Sequence, residues 1–407
     1  MLSYTRYFIQ VVLASVILAA FFAACDDDDP VKKDFSDPVF TKSIDFTGEG
    51  RIYYKKTGPT WDDPNVEVNE NLFFLTDGYL DSEGFLNAEY SEMAAYCSDS
   101  SPILTFTFGS KEAAVEMDYS LKGTLYTKTG ESLELFNTSG TVTPDGTSYP
   151  DIEVEANPLP TATAHFYTLE IEHTFTVGSE TYTQTTLHEF AQVWRCPIPG
   201  TPLYKRIIMW GSDWLSGQYE DLGEPTENEL AEKLLLGMYN LEPLGYRYGP
   251  FPRPSNIIDR AEVFLDFKQS ACGEFRGFYM ALTETQGIDS NWLWFWFRYP
   301  SSEAYSMYQT IDIPALGRDS YVWRYSDHIV VQVNGKVYDP TYIVMAETPD
   351  DYEDYMFASF CYGEDTACGG SNSWCTIPDG PQGICTENHP GYVEGESPLR
   401  FTGEDYH

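Results

Sequence analysis

Residues 327–341 read DHIVVQVNGKVYDPT, and this stretch decides how the C-terminal half of the chain folds. Asn334-Gly335 stands between two apolar runs, which is the strongest short-range signal for a two-residue β-hairpin. The residues beside the turn then pair outwards, with Val333 opposite Lys336. Two antiparallel strands are therefore expected. The first and last residues of the stretch then lie side by side at the open end of the hairpin, opposite the turn.

The open end of this hairpin carries two residues with acid–base chemistry. His328 begins the first strand and Asp339 ends the second. An imidazole and a carboxylate so placed form a hydrogen bond that fixes the imidazole tautomer and stabilises its protonated form. Each residue alone has an ordinary reading, since a strand His is usually structural and Asp-Pro-Thr is common turn chemistry.

Residues 270–288, SACGEFRGFYMALTETQGI, have the pattern of a helix. Ser270 is the expected N-cap, and Gly287 stands at the C′ position that commonly ends a helix. Cys272 falls in the first turn. The apolar side chains recur at i, i+3, i+4 and i+7, at Phe275, Phe278, Tyr279 and Leu282.

A thiol at Cys272 is placed for reactivity. The unpaired amides and positive dipole end of a helix stabilise an anion, which favours the nucleophilic thiolate. Alone, such a Cys is more often a packing residue or half of a disulfide. Together with His328 and Asp339 it forms a Cys–His–Asp constellation suited to covalent catalysis on a carbonyl.

The chain before this segment divides by periodicity. Residues 39–200 alternate with period two between Gly, Asp and Asn turns, which predicts an all-β sandwich-like region. His173 lies on an apolar strand face and is expected to be a packed residue. His188-Glu189 lacks the second His of a helical zinc motif, so no metal site is expected there.

The pattern becomes helical after Arg195. Thr226 to Glu229 form a capping box, and a stripe of apolar residues follows at a spacing of four. Residues 291–297, NWLWFWF, predict a strand buried on both faces. The fold class is therefore α+β, with residues 201–350 as a second domain and 351–407 as a short Cys-rich tail.

At Cys272, His328 and Asp339 the chain resembles the transglutaminase-like superfamily, a branch of the papain-like cysteine enzymes. The resemblance rests on Cys-x-x-Phe-x-x-Phe-Tyr-x-Ala-Leu from Cys272, on the strand that His328 begins, and on Tyr338-Asp339-Pro340-Thr341. The order Cys, His, Asp is also that of the family. The resemblance covers residues 204–346, roughly a third of the chain.

The resemblance implies a role for each of these residues. Cys272 is the nucleophile, His328 the general base and acid, and Asp339 the residue that orients His328. The basic residue often found on the next strand of the family is missing after Ile288. The amide of Cys272 is the natural oxyanion donor, and Gln269 is a second candidate that could equally be a solvated connector.

The first residues predict an exported protein. A continuous apolar run from Val11 to Ala24 is shorter than the about 20 residues that span a bilayer, but it suits a signal peptide over residues 1–24. Small residues before Cys25 resemble a bacterial lipobox, which implies lipidation of Cys25 and an acidic tether over 25–38. An ordinary secretory signal and an uncleaved anchor are the alternatives. All three export the rest of the chain. The lipid-anchored form is expected in the bacterial cell envelope, on the periplasmic side or the cell surface.

The remaining cysteines support an oxidising compartment. Seven remain without Cys25, an odd number, so full pairing leaves one free thiol, for which Cys272 is best placed. The expected bridges are Cys97–Cys196 and two within the tail. Zinc binding by the tail is the alternative, but its spacings lack the close pairs of zinc sites. The tail cysteines are Cys361, Cys368, Cys375 and Cys385.

The charge balance excludes several function classes. With 24 Lys+Arg against 63 Asp+Glu, the net charge is −39. Such a surface repels phosphate backbones and anionic lipid headgroups, so nucleic acid is not an expected partner. No cofactor or metal is expected. The predicted function is an exported cysteine peptidase or amidase that acts on peptide substrates, preferably neutral or cationic ones. The alternative is a non-catalytic envelope lipoprotein with a transglutaminase-like module.

Overall fold

The structure is a computed structural model of the 407-residue chain. It describes residues 38–54, 72–74, 93–111, 114–145, 149–216, 225–248, 260–296, 308–310, 327–352, 360–362 and 399–402. The expected signal peptide, the acidic tether with Cys25, and the tail cysteines 368, 375 and 385 lie outside these ranges. Within them the chain is a mixed α+β protein with a sheet-rich N-terminal part and few helices.

The strands and helices are numbered here in chain order. The strands are β1 (Val39–Thr47), β2 (Leu72–Phe74), β3 (Ala94–Cys97), β4 (Ile103–Ser110), β5 (Met117–Tyr126), β6 (Ser132–Val142), β7 (Asp151–Glu155), β8 (His165–Val177), β9 (Glu180–Val193), β10 (Arg247–Tyr248), β11 (Gln269–Ser270), β12 (Asn291–Trp296), β13 (Tyr308–Thr310), β14 (Asp327–Val333), β15 (Lys336–Asp339), β16 (Val344–Ala346), β17 (Phe360–Tyr362) and β18 (Leu399–Thr402). The helices are α1 (Lys205–Leu215), α2 (Glu227–Gly237), α3 (Arg260–Phe267) and α4 (Cys272–Thr285), with a 3-10 helix over Met238–Leu241.

The N-terminal part consists of two sheets around one core. Their strand orders are β2-β1-β4-β7 and β3-β9-β8-β5-β6. Alternate residues of both sheets are fully buried in a shared cluster that includes Ile44, Phe106, Leu121, Leu169 and Phe190. This inward alternation is the reason for the period-two pattern, because successive strand residues point to opposite faces.

His173 is a packed strand residue, as expected. Its ring is buried in the core between the two sheets, where Nδ1 lies 2.8 Å from Thr41 Oγ1 and Nε2 lies 3.1 Å from Thr186 Oγ1. Both ring nitrogens therefore have a hydroxyl partner, which satisfies the polar atoms of a buried imidazole.

A disulfide joins the sandwich to the segment that follows it. Cys97 ends β3, and Cys196 follows β9, which pairs with β3 in parallel. This bridge is the one expected between Cys97 and Cys196 from the sequence. The bridge closes the chain at a sequence separation of 99 residues.

Loss of this bridge should destabilise the protein strongly. A disulfide that closes a loop of such length restricts the unfolded chain, and removing one typically costs about 2–5 kcal/mol. We expect the Cys97→Ser/Cys196→Ser double variant to unfold at a clearly lower denaturant midpoint than the wild type. A midpoint equal to that of the wild type would contradict this stabilising role.

In the C-terminal part, α2 and α4 pack against a five-stranded sheet of order β16-β15-β14-β12-β18, and α1 and α3 pack against α4. The predicted apolar stripe of α4 is fully buried at Phe275, Phe278, Tyr279 and Leu282. The capping box of α2 is also present, since Glu229 N donates to Thr226 Oγ1 and Thr226 N donates to Glu229 Oε2. No helix within the described ranges is long and apolar enough to cross a membrane.

The hairpin over β14 and β15 has the predicted register. Val333 pairs with Lys336, and Gln332 pairs with Val337. Both turn residues have positive φ, 48° at Asn334 and 87° at Gly335, as a two-residue hairpin turn of this kind requires.

Two features of this sheet differ from the sequence-based expectations. Leu293 of β12 is buried, but Trp292 and Trp294 are only half-buried, so the strand is not covered on both faces. Arg276 lies over the Trp292 ring, with 5.1 Å from the guanidinium carbon to the ring centroid. The tail also contributes to the sheet, because β18 pairs with β12 in antiparallel fashion.

Candidate active site

Helix α4 begins at Cys272, and its N-cap is Ala271 rather than the predicted Ser270. Ala has no side-chain oxygen, so the cap is held from one side only: Ala271 N donates to Glu274 Oε2 at 3.1 Å. Ser270 lies instead in β11, where its hydroxyl is buried without a hydrogen-bond partner in the described part of the chain. The prediction was wrong because the short parallel pairing of β11 with β10 holds Ser270 in a strand.

The first turn of α4 is fixed by an ion pair whose carboxylate is buried. Glu274 is fully buried and forms a salt bridge with Arg260 of α3. Its carboxylate near the helix N-terminus also has a favourable interaction with the helix dipole. Cys272 is the first residue of this anchored turn, and it is a half-buried, free thiol.

His328 contacts both of the other predicted site residues. Its ring is buried, and Nε2 lies 2.8 Å from Asp339 Oδ2. Burial of the ring lowers its pKa, but the Asp339 carboxylate with its hydrogen bond, together with the nearby Cys272 side chain, outweighs burial and raises the pKa of His328 to about 10. The imidazole is therefore protonated at neutral pH, beside the thiol.

Asp339 is a buried carboxylate with four hydrogen-bond donors around it. Oδ2 accepts from His328 and from the Tyr352 hydroxyl, the latter at 2.6 Å. Oδ1 accepts from the amides of Thr341 at 2.8 Å and Tyr342 at 3.3 Å. Since Pro340 has no N–H, the carboxylate caps the next two amides of its own turn, which explains the use of Asp-Pro-Thr here.

Tyr352 was not found from the sequence. Burial raises the pKa of its hydroxyl well above the ordinary value, and Asp339 raises it further, so the group stays a neutral donor. It lies 13 residues after Asp339 in a segment without a motif. Nothing in the sequence pattern indicated that this segment folds back onto the hairpin.

The other predicted site residues form no hydrogen bond with this cluster in the described part of the chain, or lie outside it. Gln269 is exposed in β11, so its role as an oxyanion donor stays a prediction. Cys97 and Cys196 form the disulfide, and Cys361 lies in β17. Among the described residues, no group of three or more His, Cys, Asp or Glu side chains could hold a metal ion.

The pH dependence of stability should report the proton on His328. The folded chain binds this proton with a pKa of about 10 against an ordinary value of 6.5. The resulting stabilisation is fully present below pH 6.5 and is lost as the pH rises to about 10. Over this interval the unfolded chain has already lost the proton while the folded chain still binds it, so raising the pH favours unfolding. Denaturant midpoints should therefore fall more steeply over this interval for the wild type than for His328→Gln. Parallel curves would contradict a protonated His328.

Comparisons with known proteins add little to this geometry. No family model matches the chain, and no curated protein matches it. One weakly similar solved structure is that of a protein from Parabacteroides distasonis described as a candidate protease. It is 9% identical, the match covers 63% of this chain and 70% of that chain, and the TM-score is 0.16. A likeness of this size carries no argument about function.

Proposed function

We propose that this protein is an exported, transglutaminase-like cysteine enzyme that cleaves peptide bonds through Cys272, His328 and Asp339. The single observation that supports it is the chain of contacts among the three. The ring of His328 is held at Nε2 by the buried Asp339 carboxylate and lies close enough to Cys272 for that side chain to raise its pKa. A thiol paired with an oriented imidazole is the arrangement of an activated cysteine nucleophile.

The proposed reaction has two halves. The Cys272 thiolate attacks the carbonyl carbon of the scissile amide, and the His328 imidazolium gives its proton to the leaving amine as the C–N bond breaks. The acyl group is then a thioester on Cys272. Neutral His328 next takes a proton from a water molecule, whose oxygen attacks the thioester and releases the acid and the Cys272 thiolate beside the again protonated His328. An amine in place of water gives transfer instead of hydrolysis.

The negative oxygen of each tetrahedral intermediate requires hydrogen-bond donors. The backbone amide of Cys272, at the N-terminus of α4, is the first donor, because helix N-terminal amides have no partner inside the helix. Gln269, three residues earlier, is the proposed second donor.

The proposed setting is the bacterial cell envelope. Lipidation of Cys25 anchors the protein to a membrane, and residues 26–38, which begin with four Asp residues, separate the folded part from the surface. A peptide or protein of the envelope is the proposed substrate. The Cys97–Cys196 disulfide is compatible with an oxidising, exported environment.

An activity profile on a mixture of envelope peptides tests this proposal. New amino termini and amine-acceptor conjugates are quantified by mass spectrometry, with and without an added primary amine. We expect wild-type protein to generate new amino termini, and Cys272→Ala to generate none. Equal product patterns for the two proteins would overturn the enzyme proposal and favour a peptide-binding module.

A further inference from the structure

Arg276 lies one helical turn after Cys272 on the same face of α4. Residues four apart on a helix are neighbours, with about 5–6 Å between their Cβ atoms. Long helical side chains also lean towards the helix N-terminus, so Arg276 extends over the turn that holds Cys272. The side chain is half-buried, and its Nε is buried without a hydrogen-bond partner among the described residues.

The guanidinium of Arg276 has no ion pair within the described ranges, although two carboxylates lie on the same helix. Glu274 is bound by Arg260 and by the amide of Ala271. Glu284 accepts hydrogen bonds from Thr201 at 3.0 Å and Ser290 at 3.1 Å. These carboxylates are thus committed to other donors.

The surroundings of Arg276 are unfavourable for a lone cation. Burial lowers its pKa most and Arg260 lowers it further, and these effects outweigh the opposing effects of Cys272, Glu274 and Glu284. A partly desolvated charge without an ion-pair partner costs free energy. Acidic residues outnumber basic ones 63 to 24 in this chain, so the chain itself could easily supply a carboxylate as that partner. The Trp292 ring is the group that it packs against, at 5.1 Å.

We infer that Arg276 binds a carboxylate of the peptide substrate, on the residue next to the scissile bond. This inference rests on the proposed function and names its substrate class. The separation of about 5–6 Å between the Cβ atoms of Arg276 and Cys272 equals the length of one to two residues of an extended peptide, at about 3.3–3.6 Å per residue. Trp292 supports the guanidinium through a cation–π contact, and the guanidinium N–H groups can then bind a carboxylate with two parallel hydrogen bonds.

This local cation also refines the effect of the net charge. The field of a −39 chain disfavours polyanionic peptides at a distance. A single carboxylate that reaches Arg276, in contrast, exchanges its hydrating water molecules for the fixed N–H donors of the guanidinium. The substrate class is therefore a peptide of low overall negative charge with one acidic side chain, or a free carboxyl terminus, beside the cleaved bond.

Binding to the inactive Cys272→Ala protein tests the inference without catalysis. The probes are N-acetylated, alanine-based pentapeptides that carry either Glu or Gln at each position in turn. We expect at least one position at which Glu binds about tenfold or more tightly than Gln, the effect of one charge-assisted hydrogen bond. A further Arg276→Gln change should remove this difference, and Arg276→Lys should retain part of it.

Arg195 offers a matched control for the loss of a cation. Its guanidinium also lies over a Trp ring, 3.7 Å from the centroid of Trp194, and it pairs with Glu227. It packs beside Gly287 at the opposite end of α4, about 20 Å from Cys272 by the helical rise. Arg195→Gln should therefore leave the Glu-over-Gln preference intact.

The outcomes separate this inference from the proposed function. If no position shows a preference for Glu that depends on Arg276, the inference is overturned, even where wild-type protein cleaves peptides. If the preference is present but wild-type protein cleaves nothing, Arg276 binds carboxylates and the enzyme proposal fails. Thermal unfolding of each variant identifies any loss of fold. If Arg276→Gln does not fold, Arg276→Lys decides through a reduced but retained preference.

Discussion

Replacement of Cys272 by Ala should reduce peptide turnover by a factor on the order of 10⁴ or more. The thioester intermediate cannot form without the sulfur, and the imidazolium of His328 then has no thiolate beside it. The measurement is kcat/KM for a peptide that the wild type cleaves. Cys272→Ser should also lose nearly all activity, because the geometry and charge of the site are arranged for a thiolate.

The thiol control for this experiment is the Cys97→Ser/Cys196→Ser variant. It also removes sulfur atoms, but they lie near the end of α4 that is remote from Cys272. Below its lowered unfolding temperature this variant should retain turnover. Turnover in Cys272→Ala comparable to the wild type would show that the proposed nucleophile is wrong.

Replacement of Asp339 by Ala should have the largest combined effect on stability and activity. The change leaves His328 buried without its carboxylate and removes the acceptor for the Tyr352 hydroxyl and two backbone amides. Breaking a buried pair of this kind costs about 3–5 kcal/mol. Denaturant unfolding should show this loss, and kcat/KM should fall on the order of 10²–10⁴-fold as the imidazole loses its orientation.

Two further variants separate orientation from stability. Asp339→Asn keeps the shape, and its Oδ1 can still accept from the Thr341 amide, but the side-chain NH2 group that replaces Oδ2 accepts from neither His328 nor Tyr352. In the pH profile of kcat/KM, this variant should shift the alkaline limb to lower pH, since the pKa of His328 depends on the Asp339 carboxylate. Tyr352→Phe removes one donor and should cost about 1 kcal/mol without this shift in the pH profile. An unchanged profile in Asp339→Asn would contradict the role of Asp339 as the residue that positions His328.

The parts of the site that follow from the sequence are local in the chain. Asn334-Gly335 determines the register of the hairpin, and this register brings His328 and Asp339 to one end. The apolar spacing of α4 determines which face of the helix is buried, and the extent of this pattern places Cys272 in the first turn. Short-range turn and helix chemistry is sufficient for these features because the relevant residues lie within a few positions of each other.

The parts that do not follow depend on contacts between distant segments. The Tyr352 hydroxyl reaches Asp339 only after the chain has turned past β16. The contact of Arg276 with Trp292 requires the docking of α4 on the sheet. The N-cap at Ala271 has the same kind of cause, since the pairing of β10 with β11 holds Ser270, a residue type that favours the N-cap, in a strand. Local propensity cannot anticipate such tertiary contacts.

The most direct test of the account is the alkylation of Cys272 by iodoacetamide at about pH 5.5, where an ordinary thiol reacts slowly. Labelled sites are located by peptide mass spectrometry in the native wild type, the unfolded wild type and native His328→Ala. We expect Cys272 in the native wild type to react faster than in either of the other two samples, because the protonated His328 stabilises its thiolate. Equal rates in all three would contradict the proposed thiolate–imidazolium pair.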